Sequence, residues 1–187
     1  MYYNPKSKII ISKSFKTAGS SLYTLIKNNW MLEGCRLDDM HYTLKECQKI
    51  YGEKEFTQIT LIRNPHDYVV SAYHWGKRNG EVPHDYTFQD FLYKPSQFNW
   101  QKQLRFWETD DIDDVIQFEK IEEEIQRLVD EYHLPQPTTQ LPHEKKSVDR
   151  KPYREYYTKE DKEFIQNFFA HQLYFWDVHF GIKYKMD

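Results

Sequence analysis

Two strand-to-helix junctions constrain this chain more than any other feature. Lys8-Ile9-Ile10-Ile11-Ser12 is a short β-branched run and reads as a buried strand. The segment Lys16-Thr17-Ala18-Gly19-Ser20-Ser21 follows it. Leu22, Leu25 and Ile26 then share one face of a helix running from Ser20 to Asn29. Phe56 to Ile62 reads as a second buried strand, and Arg63-Asn64-Pro65 follows it. Asn64 suits a helix cap, Pro65 suits the first helical position, and Asp67 stands third in a capping box. That helix runs to Arg78.

The rest of the chain keeps the same alternation. Thr43 to Tyr51 reads as a short helix ended by Gly52. A loop with Gly and Pro spans Asn79 to Asp85, and Phe88–Leu92 and Trp100–Trp107 read as helical. Val115 to Phe118 is a short strand. Ile121, Ile125, Leu128, Val129 and Tyr132 form the apolar stripe of the helix after it. Residues 134–151 read as a polar, Pro- and Lys-rich loop. Thr158 and Asp161 form a capping box for a last helix that buries Phe164, Ile165, Phe168 and Phe169. Strands alternating with helices predict an α/β fold with a mainly parallel central sheet flanked by helices. With 187 residues and no repeat or low-complexity stretch, one domain over residues 1–187 is expected.

Composition narrows the function classes. A net charge of −3 gives no global basic field, which argues against a general nucleic-acid binder. The two cysteines, Cys35 and Cys47, are not in metal or redox spacing and read as free thiols. The eight histidines show no paired ligand spacing, so no metal is expected. A polar start and the absence of a long apolar run predict no signal peptide, no membrane span and a cytoplasmic protein. Aromatic residues make up 17% of the chain, so either the core is built on rings or some rings line a base or sugar site. Trp75, Trp100 and Trp107 are the candidates for sugar stacking, with core packing as the plainer account.

Both junctions carry groups suited to phosphate. Amides in a turn and at a helix start lack helical partners, and the helix dipole favours an anion there. Gly19 permits close backbone approach, Thr17, Ser20 and Ser21 add hydroxyls, and Lys16 adds a mobile charge. The segment is not a Walker A loop, because no glycine precedes Lys16 at the required spacing. Its plain alternative is a serine-capped helix start. At the second junction Arg63 stands at a strand end, where ligands collect in open α/β sheets. Ser71, seven residues after Asn64, stacks on the same helix face as the cap. Guanidinium and hydroxyl suit one phosphate, and an ion pair of Arg63 with Asp67 is the structural alternative. A third cluster, His143 to Ser147 with Arg150 and Lys151, is the most basic stretch and reads as a solvated loop or a lid over a nucleotide.

Taken in order, these segments resemble a known family. Lys16-Thr17-Ala18-Gly19-Ser20-Ser21 after a strand looks like the 5′-phosphosulfate loop of sulfotransferases that use 3′-phosphoadenosine 5′-phosphosulfate (PAPS). Arg63-Asn64-Pro65-His66-Asp67-Tyr68-Val69-Val70-Ser71 looks like their 3′-phosphate motif. Leu141-Pro142-His143, Lys146-Ser147 and Tyr153 to Tyr157 resemble the carbohydrate (Golgi-type) branch and its bacterial relatives. The resemblance spans Ile9 to Tyr184 and departs from the pattern at Phe15, Ala18, Tyr68 and Lys145.

The resemblance implies a P-loop-like sulfotransferase fold and metal-free transfer of a sulfuryl group from PAPS to an acceptor hydroxyl, with a sugar or glycan as acceptor. It implies that Lys16, Thr17, Ala18, Gly19, Ser20 and Ser21 hold the 5′ side of the donor and that Lys16 neutralises the leaving oxygen. Arg63 and Ser71 would hold the 3′-phosphate, and Lys146, Ser147 and Arg150 would also bind the nucleotide. His41, between the two motifs, is the first choice of general base. His74 follows it, ahead of Glu33, Asp38 and Asp39. A nucleotide kinase and a non-catalytic nucleotide-binding module stay open as alternatives.

Overall fold

The computed structural model describes residues 1–51, 55–107, 112–142 and 150–184. In chain order the elements are β1 (Tyr2–Asn4), β2 (Ile9–Ser12), α1 (Gly19–Asn29), β3 (Arg36–Leu37), α2 (Leu44–Tyr51), β4 (Thr57–Ile62), α3 (Pro65–Arg78), α4 (Phe88–Tyr93), β5 (Asp114–Gln117), α5 (Ile121–Tyr132), α6 (Lys159–Phe168) and α7 (Ala170–Phe180). Tighter 3-10 stretches occupy Trp100–Trp107, Phe118–Lys120 and Tyr153–Tyr156. The chain forms two compact units: Met1–Arg63 with Leu104–Lys145, and Asn64–Gln103 with Lys146–Asp187.

The first unit holds the whole sheet, in the order β3-β1-β2-β4-β5. Its centre is parallel, as the strand-helix alternation predicts: β2 pairs with β4, and β4 with β5. The other two pairings, β1 with β2 and β1 with β3, are antiparallel, so the sheet is mixed. The reason is local. Only a tight turn separates β1 from β2, and a parallel pair needs a crossover of a dozen or more residues. Asn4 closes that turn by accepting the amides of Lys6 and Ser7, each at 3.0 Å.

Side-chain alternation along β2 explains why the strand is apolar at every step. Ile9 and Ile11 join one core with Ile59, Leu61 and Ile116 from the sheet, Leu22, Leu25 and Ile26 from α1, and Leu128 from α5. Ile10 points the other way, into a smaller cluster with Cys47 of α2 and the rings of Tyr3, Tyr51 and Phe56. A strand buried on both faces has no solvent side, so alternation with polar residues disappears. Each of these isoleucines contributes about 2 kcal/mol of transfer free energy.

The second unit is helical and aromatic. Asn64 caps α3 by accepting the amide of His66 at 3.0 Å, with Pro65 in the first turn. Thr87 with Asp90, and Thr158 with Asp161, form complete capping boxes for α4 and α6. The Tyr157 hydroxyl donates to the His66 carbonyl at 2.7 Å, tying the segment before α6 to α3. Trp100 packs on Phe168 and Phe169, and Trp75 on Phe98. The surplus of rings here is core. Helix α7 follows the last helix named from the sequence and buries Trp176 against the edge of Tyr184. Among the described residues no helix is long and apolar enough to cross a membrane.

Candidate functional site

The parallel register sets the carboxyl ends of β2, β4 and β5 along one edge of the sheet. Chain leaving those ends is where ligands gather in open α/β sheets. Three segments of the first unit emerge there: residues 13–18 after β2, Arg63 after β4, and Phe118 after β5.

The segment after β2 is tightly held. Ser14 is buried, and its hydroxyl donates to the Leu61 carbonyl at 2.6 Å. The Trp107 indole N–H reaches the Ser14 hydroxyl at 3.1 Å and the Leu61 carbonyl at 2.9 Å. Trp107 is therefore a bracket for this loop and not a sugar platform. Thr17 is fully buried, and its hydroxyl donates to the Ser14 carbonyl at 2.9 Å. Thus Thr17 closes the turn with its side chain and offers the site its backbone.

On either side of Thr17 the backbone is left-handed, with φ 60° at Lys16 and φ 62° at Ala18. Such a conformation costs a residue with a side chain about 1–2 kcal/mol. Left-handed residues are a common ingredient of turns whose successive amides bind an anion. Helix α1 then opens at Gly19, and the helix dipole adds to the attraction. A Cβ on Gly19 would lie 3.0 Å from Cδ of Lys13, so glycine here lets the lysine stem pass.

Arg63 braces the same loop. Its guanidinium donates to the Lys16 carbonyl at 2.7 Å and stacks 4.0 Å from the centroid of the Phe118 ring. All three strand ends thus meet at one buried arginine. The Asp67 carboxylate, considered from sequence as a partner for Arg63, pairs with Arg150.

His41 sits in the segment between β3 and α2. Its Nδ1 lies 3.0 Å from the Lys13 carbonyl. A carbonyl only accepts, so Nδ1 carries the proton and the neutral ring leaves Nε2 bare. Phe15 and Phe106 flank the ring, at 5.8 and 6.1 Å between centroids. Burial, more than any charge, holds its pKa below the ordinary histidine value. The Lys16 ammonium lies 5.9 Å from the centroid of the Phe15 ring.

Of the residues singled out in the sequence, Lys16 to Ser21, Arg63 and His41 come together in the first unit. Ser71, buried on α3, and Arg150, paired with Asp67, belong to the second. Lys146 and Ser147 lie outside the described residues. His74, the second candidate base, meets the Tyr156 hydroxyl at 2.7 Å. Sequence reasoning passed over Lys13, Ser14 and Phe118, and weighed Trp107 for sugar stacking or core packing, not as a bracket for this loop. The pair Lys13-Ser14, directly after the strand and before the first motif, was the available signal.

No family model matches the chain, and no curated protein matches it. Among solved structures, mouse sulfotransferase SULT7A1, crystallised with PAP, aligns over 94% of this chain and 87% of its own length, with a TM-score of 0.56 at 13% identity. The chain has the sulfotransferase fold. The alignment runs nearly end to end, so the likeness extends beyond the parallel centre of the sheet. On the sulfotransferase fold of this chain, the two junction motifs sit at the carboxyl ends of β2 and β4.

Proposed function

We propose that this protein is a sulfotransferase that moves a sulfuryl group from PAPS to an acceptor hydroxyl, with a carbohydrate as the acceptor class. The observation that carries the reading is the bond from Arg63 to the Lys16 carbonyl, which joins the two junction motifs at the carboxyl edge of the sheet. A solved protein of the same fold was crystallised with PAP. The carbohydrate branch rests on the likeness of residues 141–157 to that branch.

The loop fits the 5′ side of such a donor. Its left-handed turns, the opening of α1 and the charge of Lys16 are each features that favour an anion. When bound, the donor supplies the sulfuryl group: its bond to the phosphate oxygen breaks, a sulfur–oxygen bond to the acceptor forms, and adenosine 3′,5′-bisphosphate (PAP) is released. Lys16 stabilises the negative charge that grows on the bridging oxygen, helped by the amides of residues 17–21. His41 accepts the acceptor's proton on Nε2. The resemblance implies that Arg63 and Ser71 would hold the 3′-phosphate and that Lys146, Ser147 and Arg150 would also bind the nucleotide. A 3′-phosphate site selects this donor over ATP, which has none.

Thermal unfolding with added nucleotide tests the reading. PAP raises the melting temperature more than ATP with magnesium does, and PAPS labels a member of a glycan panel. A larger shift with ATP and magnesium supports a kinase instead. PAP binding without sulfation of any glycan, phenol or amine supports a binding module.

A further inference from the structure

Lys13 is the first residue after β2, and its side chain is 7% exposed, which is rare for lysine. The stem runs past Gly19, and the ammonium sits 5.3 Å from the centroid of the Tyr23 ring of α1. There it pairs with the Asp39 carboxylate, which is itself 73% exposed. Its main-chain carbonyl meanwhile holds Nδ1 of His41. One residue therefore grips the 39–41 segment at two points, with its side chain and with its backbone. It is also wedged against the start of the phosphate-binding helix.

We propose that Lys13 is a positioning residue for His41, clamping the 39–41 segment to the phosphate loop so that Nε2 of the neutral imidazole is held in register with the donor. This rests on the sulfotransferase reading and on His41 as its base. The clamp has two parts. The carbonyl of Lys13 selects the His41 tautomer, and the ammonium anchors Asp39, two residues before His41. A buried ammonium that lost Asp39 would be left uncompensated, so the contact is held firmly.

The charges around His41 make the clamp measurable. Facing it are the Lys13 ammonium, the amino group of Met1 and the Asp39 carboxylate. Behind its two ring neighbours lie Lys16, over Phe15, and Arg105, over Phe106. The Lys13 charge lowers the His41 pKa and the Asp39 charge raises it. Lys13→Met removes a positive charge that lowers the His41 pKa, so His41 titrates higher. Asp39→Asn leaves Lys13 unopposed, so His41 titrates lower.

The test is a pH titration of the His41 ring resonances by NMR in the full chain, assigned with His41→Ala and run on wild type, Lys13→Met and Asp39→Asn. The two variants move the midpoint in opposite directions, each by about half a pH unit. In assays, Lys13→Met lowers kcat by about tenfold or more while PAP affinity stays within about threefold of wild type. Lys13→Arg, which keeps the charge, recovers most of the rate. Midpoints that stay put, or move the same way in both folded variants, overturn the clamp. So does a loss of PAP affinity as large as the loss of kcat, since Lys13 would then be a donor ligand. If Lys13→Met does not fold, the exposed Asp39 site still decides through its own shift. Should the wild type transfer no sulfuryl group, the sulfotransferase reading fails while the titration still judges the clamp.

Discussion

The Arg63 guanidinium donates to the carbonyl of Lys16 at 2.7 Å. A residue at the end of one strand thereby supports the strained turn after its neighbour. The face of the same guanidinium rests on Phe118, which lowers its mobility further.

Arg63→Ala removes that donor from a buried carbonyl and is expected to destabilise the protein by about 2 kcal/mol. A loss of that size lowers Tm by about 5 °C in a chain of this length. PAP affinity falls with it, because the left-handed turn at Lys16 loses its brace. Arg63→Lys does not recover either property, since a lysine lacks the planar donor that reaches the carbonyl while stacking on the ring. Calorimetric unfolding and PAP titration on both variants check this; an unchanged Tm in Arg63→Ala counts against the brace.

Ala18 adopts φ 62°, ψ 20° as it caps α1. Glycine carries no penalty in that region, although it also loosens the unfolded chain. Ala18→Gly is therefore expected to stabilise the fold by up to about 1 kcal/mol. Urea unfolding measures it, and a lower midpoint with unchanged slope contradicts the strain.

His41→Ala is expected to reduce kcat by about 10²–10⁴-fold with little change in PAP affinity. With His41 as the proposed base, the neutral ring is the form that would accept the proton. Burial holds its pKa below the ordinary 6.5, so the base is fully available at neutral pH. Activity falls only as pH drops through that lowered value. A pH–rate profile with no acid limb, or normal turnover in the alanine variant, removes His41 from the mechanism.

His66 carries a stability signal of the same sign. Burial, with the Tyr157 ring packed edge-on beside it, pushes its pKa down to about 4, against the opposing pull of the Lys162 carbonyl. The unfolded chain therefore binds the proton first. Stability from this group is complete above about 6.5 and is lost as pH falls toward about 4, by up to about 3 kcal/mol. Denaturant midpoints measured from pH 7 to pH 4 follow this slope in wild type. In His66→Asn the slope over the same window is shallower; an equal slope in both assigns the acid loss to other groups.

How much of this was legible in the sequence depends on how local the cause is. The parallel strands β2, β4 and β5, the cap of α3 and the Thr158 capping box are written in short-range patterns, and the structure repeats them within a residue or so. The antiparallel strand β1 was missed because three residues carry too little pattern to mark a strand. Trp100–Trp107 was read as helical and forms a 3-10 stretch, and Trp107 within it turns its indole N–H into the loop after β2.

The sequence by itself determined which residues line the carboxyl edge of the sheet, since strand, turn and cap are encoded within a few positions of one another. It also marked Lys16 and Arg63 as a pair of anion-seeking groups. Only the tertiary structure decided that these two touch, that Trp107 locks Ser14, and that Lys13 grips both Asp39 and His41. Those contacts join residues far apart along the chain. They depend on strand register and on burial, which set distance and dielectric together, and no local pattern specifies either.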